Sequence, residues 1–291
     1  DGTTNEAFNQ IIDTSNKVDG KSVYYITDGS NITLNSSSNA GTVYCINCTN
    51  VNVSDVNLKN NGYGVNLRNT TGANLTAVTA SSNEMAGLSL SSVNNSLINT
   101  SILSDNAGPG LLLIDATNVN TSQSTVSGNE QGGISFINSN NNTIHSSYII
   151  ENSEFGVKLD ESSNNVIYNN FFNNSNNVDV ASSTGNTWNI TETNSTSIIG
   201  LPHQGGNYWA QPDGQGYSQT RNASNNLGIL NGTYTLANGD VDYLPLGYGT
   251  PTPTPTPSPT PTPSPGPGPH PVPHSRSEEH TSELQSPYVI S

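Results

Sequence analysis

The sequence predicts an all-β fold, a right-handed parallel β-helix of about 23 residues per coil over residues 41–181. Three observations carry that reading. Gly64, Gly87, Gly110, Gly133 and Gly156 recur every 23 residues, and Gly41 extends the register one step back. Just after each glycine comes an apolar pair at alternate positions: Val65/Leu67, Leu88/Leu90, Leu111/Leu113, Ile134/Phe136 and Val157/Leu159. Four residues before each glycine stands an asparagine: Asn60, Asn83, Asn106, Asn129 and Asn152. A fixed period in this range signals stacked units that bury a continuous core, not a closed globule.

Short apolar–polar alternation is the strand period, and no window shows helical spacing. Eight residues before each glycine lie Val56, Thr79, Ile102, Thr125 and Tyr148, largely β-branched or aromatic. Between the short strands, glycine and asparagine supply turn chemistry, because both tolerate the left-handed backbone region. A 23-residue coil built only of strands and turns must wind back above its own start, roughly 4.8 Å along the axis. Identical amides at that spacing can hydrogen-bond from coil to coil, so the asparagine column reads as a buried ladder. A leucine-rich repeat has a compatible period, and Leu75, Val78, Ala80 and Asn83 fit its skeleton. The fit fails at Ile98–Ser101 and Ile144–Ser147, and the Asn/Ser/Thr-rich coil holds nothing able to form a convex helix.

Composition agrees with a solenoid. Of 291 residues, 31% are hydrophobic and 10% charged, enough for a thin apolar column but poor filling for a compact core. A net charge of −15 with only seven Lys and Arg argues against a nucleic-acid partner. No run of about 20 apolar residues is present, so no membrane span is expected. The chain begins at Asp1 with no visible signal peptide, as if mature or clipped. Cys45 and Cys48, the only cysteines, form a C-x-x-C without a βαβ context or a second ligand pair, which points to a coil turn, free or locally bridged. Asn-x-Ser/Thr triplets are frequent, among them Asn31, Asn47, Asn69, Asn94, Asn120, Asn141, Asn189 and Asn231, in keeping with an exported protein.

In chain order, residues 1–40 read as an N-terminal cap and first irregular coil, with Phe8, Ile11 and Ile12 on a short capping helix and strands at Val23–Ile26 and Ile32–Leu34. Blunting the open end in this way guards against edge pairing. After the regular coils, residues 182–249 concentrate Trp188, Tyr208, Trp209, Tyr217, Tyr234 and Tyr243. Buried over the last coil these rings close the column; exposed, Tyr208 and Trp209 would offer stacking surfaces to sugars. Residues 250–274 form a Thr/Pro-rich linker of the polyproline type. Residues 275–291, including RSEEHTSELQS, read as a translated sequencing adapter and are set aside.

The phrases NNGYGVNL, SEFGVKL and SSNNVIYNNFFNN resemble PbH1 coils of the NosD-like, carbohydrate-binding and sugar-hydrolase β-helix group. DGKSVYYITDGSNITL, GGNYW, GDVDYLPL and the Thr-Pro spacer look like surface proteins of methanogenic archaea in that group. The name NosD implies a copper-related role in the periplasm, yet soft ligands number only Met85, two cysteines, and His145 and His203 outside the tail, so no metal is expected. Relatives often carry an acidic, calcium-loop-like segment between the GNYW and DYLPL phrases. Asn222–Gly232 here has no Asp or Glu, and a calcium site is unsupported.

Chemistry on such folds needs carboxylates from neighbouring coils. Glu84, Asp105, Glu130, Glu151 and Glu154 follow the asparagine column as a weak catalytic stripe. Asp115, Lys158, Asp160 and Glu161, with Arg68 near them, mark a second edge able to position a ligand. The phrases Asn-Thr-Asp, Asp-Asp and Gly-His-Gly of polygalacturonases are missing. The sequence therefore favours a non-catalytic extracellular or cell-surface module for structure, adhesion or contact with envelope glycans or other surface proteins. The alternative is a polysaccharide lyase, hydrolase or epimerase working through the acidic stripe. A concave groove where three carboxylates and a basic residue converge would favour the enzyme.

Overall fold

The computed structural model describes residues 8, 10–223 and 226–249. The linker 250–274, the segment 275–291 and residues 1–7 and 9 lie outside the described residues. The described chain is a parallel β-solenoid. One wall is a nine-stranded sheet, here sheet 1, running Lys21–Thr27, Ala40–Ile46, Tyr63–Arg68, Ala86–Ser91, Leu111–Ile114, Ile134–Ile137, Val157–Asp160 and Val178–Ala181 in chain order, with Lys17–Val18 antiparallel on its first edge. The other walls share a 12-stranded sheet. Its long strands Thr49–Lys59 and Asn74–Ser81 bend at Asp55 and Ala77 and serve both walls. Later coils split the same stretch into pairs such as Thr117–Ser122 and Thr125–Ser127.

Register makes the files vertical. Leu88, Leu111, Ile134 and Val157 stack in sheet 1, as do Leu90, Leu113, Phe136 and Leu159, all buried. One continuous core runs from Leu34 through Trp209 to Leu236.

Each coil turns at corners where one residue is left-handed and the next points inward. One file of left-handed residues is Asn60, Ser82, Asp105, Gly128 and Glu151; a second is Asn69, Ser92, Asp115, Asn138 and Glu161. A third holds Asn95, Asn118, Asn141 and Asn164, and a fourth Thr100, Gln123, Ser146 and Asn169. This backbone region disfavours side chains by roughly 1–2 kcal/mol per residue, least for Asn and Asp, which accounts for much of the asparagine content.

The inward residues form the ladders. Asn106 Oδ1 accepts from Asn83 N at 3.0 Å and Asn83 Nδ2 at 2.9 Å, while Asn106 Nδ2 donates on to Asn129 Oδ1 at 2.8 Å and back to the Ala80 carbonyl at 3.2 Å. Asn129, Asn152 and Asn174 repeat the pattern, leaving these buried amides fully paired. At another corner Ser101, Ser124, Ser147, Asn170 and Asn207 pass the same backbone-to-side-chain bond along.

Four expectations need correction. Asn60 is not in the ladder: it is exposed at the left-handed position, and Asn61 accompanies Asn83. This coil is one residue shorter there, so Val65 lies over Val43 and Asn57, not Val56, aligns with Thr79. Gly41 is likewise out of file. It falls at a bulge, and Val43 aligning with Val65 puts Thr42 level with Gly64. The repeated glycines themselves are not left-handed. A Cβ on Gly133 would strike the Gly156 carbonyl and lie 2.9 Å from Asn152 Nδ2, so the column exists to give the next coil room. Finally, Ile11 and Ile12 adopt no helix, and Ile11 is fully exposed.

Winding continues beyond Val180. Ser183, Asn186 and Asn207 extend three ladders, and Tyr208–Ala210 pairs with Phe171–Asn173, with the loop 189–206 inserted between. Trp188 and Trp209 are fully buried, Trp209 stacking on Phe172 at 4.8 Å, so they close the core. The Cys45–Cys48 pair is a buried disulfide at one corner, consistent with an oxidising compartment.

Candidate functional site

Groove residues come from sheet 1 and the turn entering it. Pro109, Gly132 and Phe155 stand above one another, each carbonyl accepting from the preceding coil's column glycine, with Gly87, Gly110 and Gly133 supplying the N–H groups in turn. Because Gly132 has no side chain, the Phe155 ring leans over it; a Cβ there would meet the ring. Below, Pro109, Leu112 and Ser135 give a low floor. The result is a groove of about 360 Å³ lined by Tyr63, Met85, Pro109, Leu112, Gln131, Ser135, Ile137, Glu154, Phe155 and Lys158. That volume is in the range of small-ligand pockets, with an apolar floor and a few polar groups at one end. Met85 is 54% exposed and Ile137 41%, unusually open for such residues. On the same wall Tyr25 stacks on Tyr44 at 5.3 Å, and Tyr44 meets the edge of Tyr63 at 6.4 Å, so rings continue away from the groove along the axis.

The structure brings Glu154 and Lys158 to this groove and leaves the other acids outside it. Lys158 Nζ also lies 3.8 Å from Asp179 Oδ2. Glu84, Asp105, Glu130 and Glu151 are exposed along the corner, but not in one file. Asp105 and Glu151 share a file with Gly128 between them. Glu84 and Glu130 share the next, with Ala107 between. Within each file like charges are therefore two coils apart, roughly 9–10 Å, wider than the ~5–5.5 Å of a retaining glycosidase pair. Adjacent like charges on neighbouring strands destabilise a sheet, and the interposed neutral residues avoid that. Asp115 and Glu161 follow the same rule: Asn138 sits between them and donates to Asp115 Oδ1 at 2.6 Å. Asp160 closes its strand beside Glu161. Arg68 lies with its guanidinium 4.4 Å from the Phe8 ring centroid. Tyr208 and Trp209 are 5% and 1% exposed and offer no open face to a sugar ring.

Sequence reasoning did not find the groove. Its signal is present as a file of small, small, absent and large side chains at Ala86, Pro109, Gly132 and Phe155, spaced by the period.

A solenoid of this cross-section, with a shallow amphipathic groove on one wall, belongs to the class of parallel β-helix proteins. Residues 5–214 match the model of the family described as periplasmic copper-binding protein (NosD), and the chain belongs to that family. No curated protein matches the chain. Among solved structures it is similar to the periplasmic alginate epimerase AlgG, at 16% identity and a TM-score of 0.43 over 50% of this chain and 47% of that one. The A-module of the Azotobacter vinelandii mannuronan C-5 epimerase AlgE4 is similar at 15% identity and a TM-score of 0.40, over 57% and 54%. PfbA, a surface adhesin of Streptococcus pneumoniae, gives 11% identity and 0.26 over 81% of each chain. The chain spans about half the length of the first two structures.

The family description names copper, and the donors present do not fit it. Cys45 and Cys48 are consumed in the disulfide. His145 stacks on Tyr168 at 5.1 Å, with burial pushing its imidazole pKa down, and His203 Nδ1 pairs with Glu192. Among the described residues no group of three or more His, Cys, Asp or Glu is placed to hold a metal ion. Met85 stands in the groove with no second soft donor lining it.

Proposed function

We propose that this chain is a non-catalytic, exported β-solenoid module that contacts glycans of the cell envelope through the groove on sheet 1. The observation that carries the reading is the groove itself: an apolar floor of Met85, Pro109 and Leu112 beside Tyr63 and Phe155, with Gln131, Glu154 and Lys158 at its polar end. Rings and flat aliphatic surface suit the C–H faces of sugars, and the polar end suits their hydroxyls. One carboxylate lines the groove, short of the three that would point to catalysis. The disulfide and the family's periplasmic description support an exported setting. Among the described residues no helix is long and apolar enough to cross a membrane.

A glycan array followed by titration calorimetry tests the reading. Binding that falls at least tenfold in Leu112→Asp, with the melting temperature preserved, is the expected result. An array without hits, or binding indifferent to Leu112→Asp, overturns it. The polysaccharide-processing alternative has one observation behind it, the presence of Glu154 and Lys158 at the same end of the groove. Turnover of any array hit that disappears in Glu154→Gln would establish that alternative.

A further inference from the structure

Asparagine serves two purposes in this chain, and its sequence neighbours differ accordingly. On sheet 1 and the turn that enters it, Asn61, Asn66, Asn83, Asn106, Asn129 and Asn152 are buried, and none is followed two residues later by Ser or Thr. Elsewhere such acceptor triplets are common. Asn31, Asn47, Asn69 and Asn141 begin triplets, are exposed, and occupy left-handed corners where the side chain projects from the coil. Asn120 also begins a triplet, but its Oδ1 is buried without a partner.

We propose that Asn31, Asn69 and Asn141 are N-glycosylated, so that sugar is carried at the corners while the groove wall stays bare. In the transfer, Nδ2 forms a bond to C1 of a lipid-diphosphate-linked oligosaccharide. The C1–O bond breaks, the lipid diphosphate leaves, and the amide gives up one proton. Asn69 Nδ2 uses one N–H toward Asn47 Oδ1 at 2.8 Å, and the other remains for the sugar. Asn47 is left out for two reasons. It stands one coil from Asn69, roughly 4.8 Å away, too close for two glycans. Its triplet also runs through Cys48, buried in the disulfide. A glycan on a buried ladder amide would block the next coil, which is why triplets at those positions would be harmful. The disulfide shows passage through an oxidising compartment, the setting in which this modification takes place.

The test is peptide mapping by mass spectrometry on the protein purified from its native cells. Glycan mass on the peptides holding Asn31, Asn69 and Asn141, with Asn120 unmodified, is expected. Thr71→Val should remove one glycan mass and leave the melting temperature unchanged. All three sites bare, or sugar on Asn120, overturns the proposal. It does not rest on the groove reading, since bare sites with intact glycan binding would remove this inference alone.

Discussion

Trp209 donates from Nε1 to Asp242 Oδ2 at 2.9 Å, across the end of the core. The same carboxylate accepts from Asn207 N at 2.8 Å and, through Oδ1, from Leu244 N at 3.0 Å. Any side chain on Gly206 would collide with it. Two steps earlier Asp240 Oδ2 accepts from Trp188 Nε1 at 3.1 Å, so adjacent carboxylates pin both tryptophans of the cap.

Burial pushes the Asp242 carboxyl from its ordinary 3.8 up to about 7, against the pull of its three donors. For an acid raised in the folded state, the stability contribution is complete below about 3.8 and is lost as pH rises through about 7. The expected result is a melting temperature that falls between pH 4 and pH 7 and levels off above it, with about 4 kcal/mol as the upper bound. Asp242→Asn should flatten this component. A wild type and variant with parallel pH profiles would refute the assignment.

Asn129→Ala removes the acceptor shared by Asn106 N and Asn106 Nδ2 and the donor to the Leu103 carbonyl. Leaving buried groups unpaired costs about 1–3 kcal/mol each, so a loss of about 3 kcal/mol or more is expected in urea titration. Asn129→Asp keeps the acceptor but sets a charge against the Leu103 carbonyl and Asn152 Oδ1, and should be no better. A variant melting within about 1 kcal/mol of wild type would deny the ladder its energetic role.

Gly133→Ala tests the room needed between coils. The obstacle is backbone, the Gly156 carbonyl, which cannot rotate away. Overpacking of this kind costs about 1–3 kcal/mol. A simple gain in stability, as expected if this glycine were only a flexible link, would contradict it.

Copper supplies a fourth test. Specific binding to the folded state stabilises it by an amount that grows with the logarithm of the ligand excess over its dissociation constant. With the donors arranged as described, roughly tenfold excess Cu(I) or Cu(II) should leave the melting temperature unchanged. A saturable upward shift lost in Met85→Leu would show a soft site in the groove.

The period, the apolar files and the ladder at Asn83 to Asn152 were legible because identical environments repeat identical demands. A one-residue deletion between Asn61 and Gly64 was invisible to glycine spacing, since the extra bulge residue Gly41 restores an apparent 23-residue step to Gly64. Counting back from Gly64 therefore lands on Asn60. The acidic stripe looked continuous because positions in chain order do not reveal which file each belongs to; Asp105 and Glu130 are neighbours in coil number but not in file. The groove depends on what is missing at Gly132, and an absence leaves a trace only when the whole file is compared.

The ladders also give the solenoid a polarity. In the inward Asn and Ser files the backbone N–H donor lies on the earlier coil and the side-chain acceptor on the later one, so these backbone-to-side-chain bonds all point the same way. Each file must then end on an acceptor that no further coil provides. Asn177 meets this by accepting from Asn174 and donating to the Ala210 carbonyl, and the Asn207 file ends on the carboxyl group of Asp242. The two ends of the molecule are thus chemically unlike, and the terminus beyond Asn207 must carry a group suited to a row of oriented N–H bonds.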